Sequence, residues 1–326
     1  MFALIRRLLF GRPIPTAHQH HERLTKLLAL PVFASDAVSS VAYGTEMILV
    51  SLIVLGSAAW ALSLPIAGAI AVLLVIIVTS YRLTILSYPQ GGGSYIVSRE
   101  NLGTAFGLVA AASLLTGYVV TVSVSISARV AAIISAYPEL EMYRVHMGVV
   151  AVCVVALANM RGLRESGAIF AVPTYLFSFS LLITIAVGLF KWLSGAGIEH
   201  VTPLGTELPT HPLKVSMAFI IITAFSRGCS ALTGTEAIAD GVPAFRAPEA
   251  RNAAATLVMM AAILITLFLG ITVLASVYRV PPPAADFGHG GGAETVVSQI
   301  VRAIFHRDAM WFYYLVQYAT ATILIL

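Results

Sequence analysis

The chain has 326 residues, of which 59% are hydrophobic and 10% charged, with a mean hydropathy of +0.91. Soluble domains carry about 25% charged residues, so this composition excludes a water-soluble fold and requires a lipid-embedded one. The net charge of +4 arises from 19 Lys and Arg scattered among loops, with no basic run that would grip nucleic acid.

Residues 1–26 read as an N-terminal arm on the cytoplasmic side. Met1 to Arg12 alternates basic and apolar residues and lacks the apolar core and cleavage pattern of a signal peptide. Apolar runs of about 20 residues mark spans of the hydrocarbon. Eight are predicted, at 27–55, 64–86, 103–136, 146–160, 168–193, 213–240, 253–278 and 309–326. With the N-terminus inside, most Lys and Arg fall in inner loops, and Trp60, Trp192 and Trp311 fall at outer ends, where an aromatic belt sits. Cys153 and Cys229 lie in apolar runs and read as buried thiols, not a disulfide.

The first span contains Ser35, Asp36, Ser39, Ser40, Tyr43, Gly44, Thr45 and Glu46. A carboxylate at membrane depth costs roughly 2.5–3.5 kcal/mol, so Asp36 must face a cavity, a partner or an ion. The expectation is a break in this helix at Asp36, opposite protein or a water-lined cavity. The sixth span is interrupted in the same way by Ser226-Arg227-Gly228-Cys229-Ser230-Ala231-Leu232-Thr233-Gly234-Thr235-Glu236. The two stretches share a tripeptide, Gly44-Thr45-Glu46 and Gly234-Thr235-Glu236. Two interrupted spans, five apart, point to an inverted-repeat transporter. Residues 27–193 then form the first five-helix repeat, and 194–326 form helices six to eight of an incomplete second one. The apolar ending Ile323-Leu324-Ile325-Leu326 predicts truncation in or after the eighth helix.

Gly91-Gly92-Gly93 follows Pro89-Gln90 without the Gly-Lys-Ser/Thr of a P-loop, and reads as a tight turn or a close backbone contact. Glu46 is expected to neutralise Arg129 or Arg227 in an outer gate, because an unpaired charge inside the membrane is costly. No enzyme activity is expected. An aspartyl protease would need Asp36 and Asp240 together, and their predicted depths differ.

Pro31-Val32-Phe33-Ala34-Ser35-Asp36 through Glu46, Tyr88-Pro89-Gln90-Gly91-Gly92-Gly93-Ser94-Tyr95, Gly228 through Ile238, and Pro248-Glu249-Ala250-Arg251-Asn252-Ala253 resemble the KimA-type potassium importers. These belong to the KUP family, within the amino acid–polyamine–organocation superfamily. The resemblance runs along nearly the whole chain. It implies an all-α polytopic membrane protein with the LeuT-like five-plus-five inverted repeat, and proton-coupled potassium uptake across the cytoplasmic membrane by alternating access. It implies a potassium site at Asp36, Tyr43, Tyr118, Thr121, Ser125, Thr233 and Glu236. The chain departs from the family pattern at Gly117, where an acid is usual, and at Arg129 and Arg227, where small residues are usual. The implied partners are membrane lipid and a second copy of the full-length protein. Regulation by cyclic-di-AMP is implied for the family, through a C-terminal domain that this chain does not contain.

Physical chemistry supports the same cargo. Potassium exchanges its hydration shell for a flexible cage of carbonyl and hydroxyl oxygens, and half-helix ends turn negative dipoles towards a cation. Tyr118, Thr121 and Ser125 share one helix face. Glu236, beside a second carboxylate in a desolvated site, is the candidate for the coupled proton. No cofactor is expected, since potassium and the proton are cargo. The alternatives are an amino-acid permease of the same fold and a non-transporting fragment. An amino-acid cargo needs bare amides for its carboxylate, and the Asp36 charge repels that group.

Overall fold

A computed structural model describes residues 23–159, 163–195, 200–201, 216–282, 294–305 and 309–325. The helices are α1 (Lys26–Leu52), α2 (Ala58–Ser87), α3 (Gly93–Leu102), α4 (Thr104–Ala136), α5 (Arg144–Asn159), α6 (Leu163–Leu193), α7 (Met217–Gly228), α8 (Ala237–Asp240), α9 (Glu249–Val277), α10 (Val296–Phe305) and α11 (Met310–Ile325). The fold is all-α and polytopic. Six helices among the described residues are long and apolar enough to cross a membrane. Helix formation is obligatory there, because lipid offers the backbone no hydrogen-bond partner.

The predicted spans correspond to α1, α2, α4, α5, α6, α7–α8, α9 and α11. Two short helices, α3 and α10, lie in segments read as loops. Cys153 is exposed on α5, contrary to expectation, because the apolar window of that helix has none of its residues buried inside the protein. Cys229 is half-buried, and both thiols are free. Most of the N-terminal arm and of the outer loop at 281–292 lies outside the described residues.

α1 is the axis of the bundle. Ala34, Ala37, Val38, Val41, Ile48 and Leu49 are all buried, and α2, α6, α7 and α9 pack around them. Small residues allow the backbones to approach, the usual source of helix association in lipid. A Cβ on Gly44 would stand 2.8 Å from the Ala231 Cβ, and one on Gly228 would stand 2.6 Å from Ile48 Cγ1. α4 and α5 face outward, with 6% and 0% of their apolar windows buried.

The expected break in the first span is absent: α1 runs unbroken from Lys26 to Leu52. Several of its polar side chains are satisfied without unwinding. Ser39 Oγ donates to the Asp36 carbonyl at 2.8 Å and Ser40 Oγ to the Ala37 carbonyl at 2.6 Å, the local back-bonding that lets hydroxyls sit inside a helix. Thr45 shares a 2.8 Å hydrogen bond with Thr272 of α9.

The sixth span breaks as expected. α7 ends at Gly228, a 3-10 turn covers Cys229–Leu232, and helix resumes only at α8. Gly234 holds φ +76°, a left-handed conformation that costs an L-residue roughly 1–2 kcal/mol.

At the face that carries the N-terminus, the chain closes on itself. Leu24 N–H donates to the Ala244 carbonyl at 2.8 Å, and Arg246 N–H donates to the Leu24 carbonyl at 3.0 Å. Arg23 pairs with Glu249, and Phe33 stacks on Phe245 at 5.4 Å. At the opposite face, Trp192 and Trp311 are exposed as a belt requires. Trp60 is buried, and its Nε1–H donates to the Val280 carbonyl at 2.8 Å.

Candidate cation site and its two approaches

The unwound turn between α7 and α8 lies directly against α1 at Asp36. A Cβ added at Gly234 would fall 2.7 Å from Asp36 Oδ2 and 3.1 Å from the Ala37 amide nitrogen. Ser125 of α4 approaches from a third side and donates its hydroxyl to Asp36 Oδ1 at 3.3 Å. α1 and the turn are stitched by Ser40 Oγ, which also reaches the Ala231 carbonyl at 3.0 Å. Asp36, Ser125 and the turn at 230–236 are thus brought together from three elements distant in sequence.

The turn is rich in oxygen. Ser230 Oγ is buried without a hydrogen-bond partner among the described residues, and an orphaned buried hydroxyl normally marks an unfilled role. Sequence reading passed over Ser230, and its position among the polar residues of the break was the available signal. Thr233 Oγ1 donates back to the Ser230 carbonyl at 3.0 Å and Thr235 Oγ1 to the Leu232 carbonyl at 3.0 Å. Glu236 lies within electrostatic range of Asp36 on one side and Asp240 on the other.

Other expected site residues stand apart. Tyr118 donates its hydroxyl to Asp240 Oδ2 at 2.8 Å, towards the N-terminal face. Thr121 occupies the intervening turn of α4, half-buried. Tyr43 is buried two turns of α1 beyond Asp36 in the other direction, where it lines a separate cavity of about 390 Å³ with Glu46, Ser127, Arg144, Arg227 and Gln317.

Of the two partners expected for Glu46 in an outer gate, only Arg227 has a described side chain. Glu46 is 4% exposed, and its Oε2 accepts the Val296 amide at 3.0 Å. It therefore caps α10 from α1. No ion pair joins it to Arg227 among the described residues, although both line the same cavity. The side chain of Arg129 lies outside the described residues. Around this cap, Glu294 pairs with Arg302 at 2.7 Å and accepts the Ser298 hydroxyl at 2.7 Å. Replacing Glu46 with Ala leaves the buried Val296 amide without its acceptor, a loss of about 1–3 kcal/mol. The thermal midpoint in detergent is expected to fall for Glu46→Ala and to return most of the way for Glu46→Gln, which keeps an acceptor oxygen.

The glycine turn after α2 proves to be a close backbone contact, as its composition suggested. Gly91, Gly92 and Gly93 hold φ of +79°, +88° and +42°. Gly92 N–H donates to the Asp240 carbonyl at 3.3 Å, and a Cβ at Gly91 would lie 2.6 Å from that oxygen.

The family profile described as "Amino acid permease" matches residues 33–326. The chain is similar to a protein of Bacillus subtilis (strain 168) named "Potassium transporter KimA", with 48% identity over 328 residues. That alignment covers 100% of this chain and 52% of the relative, so the chain spans about half the length of the curated protein it matches.

Proposed function

The chain belongs to the amino acid permease family, and from that premise we propose that it forms the ion-binding part of a proton-coupled potassium importer. It works by alternating access in the cytoplasmic membrane, with the N-terminus inside. One observation carries the cargo: the negative side chains of Asp36 and Glu236 and the hydroxyl of Ser125 lie at one unwound turn, with the Tyr118–Asp240 pair on its N-terminal side. Such a set suits a dehydrated monovalent cation and repels the carboxylate of an amino acid.

The unbroken α1 strengthens the choice. An amino-acid cargo would need free main-chain amides in the first span, and α1 keeps its amides in the helical ladder. It also changes where the cage oxygens come from. They are side-chain oxygens of α1 and α4 and both main-chain and side-chain oxygens of residues 230–236, and not the carbonyls of two breaks. Ser230 joins Asp36, Ser125, Thr233 and Glu236 in this set. Glu236 takes the proton, because it lies between two other carboxylates and is relieved of repulsion when neutral.

Uptake by membranes bearing the chain in a potassium-requiring strain, set against uptake of labelled amino acids, tests the cargo. Potassium accumulation without amino-acid accumulation is expected. Glu236→Gln should leave potassium binding and abolish accumulation driven by a proton gradient. Amino-acid uptake that potassium does not compete would overturn the reading.

A further inference from the structure

We propose that Asp240 is the closing contact of the passage on the N-terminal face, a positioning residue whose bond to Tyr118 must part before the site opens there. The inference rests on the transport reading above, but its test does not. Asp240 ends α8, one helical turn beyond Glu236, which itself lies within electrostatic range of Asp36.

Two separate elements meet at this one residue, α4 and the Gly92-Gly93 turn that opens α3. Its Oδ2 accepts the hydroxyl of Tyr118 on α4 at 2.8 Å. Its carbonyl accepts the Gly92 amide at 3.3 Å from the turn between α2 and α3. Its Oδ1 fills the space that a side chain at Gly93 would need. The next residue, Gly241, packs against the ring of Phe33 on α1. Tyr81 of α2 faces the charges of Glu236 and Asp240.

The two kinds of contact differ in what they allow. The glycine turn is a main-chain bearing, pressed on Asp240 because no Cβ intervenes. It holds α8 and α3 together as one body. The tie to α4 is a single side-chain hydrogen bond, separable without disturbing any backbone. The parting plane therefore runs between Tyr118 and Asp240, with Thr121 and Ser125 behind it on the same helix face. Tyr118 acts as the latch on α4, with Asp240 as its keeper.

The test uses the chain in membrane vesicles, with Cys153→Ser and Cys229→Ser removing both native thiols. Thr121→Cys then reports access from the N-terminal face to an impermeant maleimide, and Ser123→Cys reports the opposite cavity, which it lines. Tyr118→Phe keeps the ring and removes the donor. It is expected to raise labelling at position 121 about tenfold, the scale of one lost hydrogen bond in a two-state equilibrium, and to leave position 123 at or below its parent rate. Asp240→Ala should match it, and the double variant should add nothing. Parent labelling rates in Tyr118→Phe, equal rises at both positions, or additive effects would overturn the proposal. If Asp240→Ala does not reach the membrane, Tyr118→Phe alone decides. Because labelling needs no potassium, a rise at 121 in a chain that transports no potassium sinks the transport reading and leaves the latch standing. Asp36-dependent uptake with unchanged labelling does the reverse.

Discussion

Asp36→Asn is expected to abolish potassium uptake at physiological concentrations while leaving the helical bundle intact. The side chain keeps its shape, and its Oδ1 can still accept the Ser125 hydroxyl now found at 3.3 Å. What disappears is one negative charge beside the unwound turn. A charge pair at about 4 Å in an effective dielectric of about 20 is worth about 4 kcal/mol, or about a thousandfold in affinity. Ser125→Ala serves as the graded control. It removes one neutral hydroxyl from the charged group, and its effect should be nearer tenfold. Potassium titration of the purified chain by calorimetry, with thermal midpoints alongside, separates binding from folding. An Asn variant that binds potassium like the parent would remove the site from Asp36.

Gly234→Ala is expected to be nearly as severe, by a mechanical route. Two effects act together. The residue must hold φ +76°, at roughly 1–2 kcal/mol for any L-residue. Its new methyl would also stand 2.7 Å from Asp36 Oδ2 and 3.3 Å from Asp36 Cβ. Asp36 sits on an unbroken helix and cannot retreat along its own backbone, so the turn must move. A misplacement of about 1 Å in a preorganised site costs about a hundredfold in rate. Uptake should fall by about that factor while the variant still reaches the membrane and elutes as the parent does. Gly44→Ala is the comparison, since its Cβ would meet Ala231 and Phe268 and not the carboxylate. It should destabilise the bundle more than it alters the apparent potassium affinity.

The spans were legible because hydropathy over 20 residues is set by the solvent and not by tertiary contacts. The break at 229–236 was legible because two glycines and several hydroxyls leave a helix little to gain there. The same reasoning failed for α1. Gly44-Thr45-Glu46 and Gly234-Thr235-Glu236 are the same tripeptide, yet the first is helical and the second is a turn. The difference lies in what each residue meets. Gly44 permits contact with Ala231 and Phe268, Thr45 finds Thr272, and Glu46 finds Val296. None of these partners lies within 180 residues in the sequence. The helix α10 was hidden for the same reason: its cap is a carboxylate on the first span. At the site, spacing placed Tyr118, Thr121 and Ser125 on one face, but only the folded chain divides that face between Asp36 and Asp240.

The continuity of α1 has a mechanical consequence. Its 27 residues make a rod of about 40 Å, with Asp36 about 15 Å from one end. Pro31 removes one ladder donor five residues before Asp36, but the helix has no break at the aspartate itself, so a pivot is the simplest motion open to it there. With the fulcrum near the aspartate, a swing of about 10° would carry one tip about 4 Å one way and the other about 3 Å the opposite way. In the proposed transport cycle, widening the mouth at one end would narrow the one at the other.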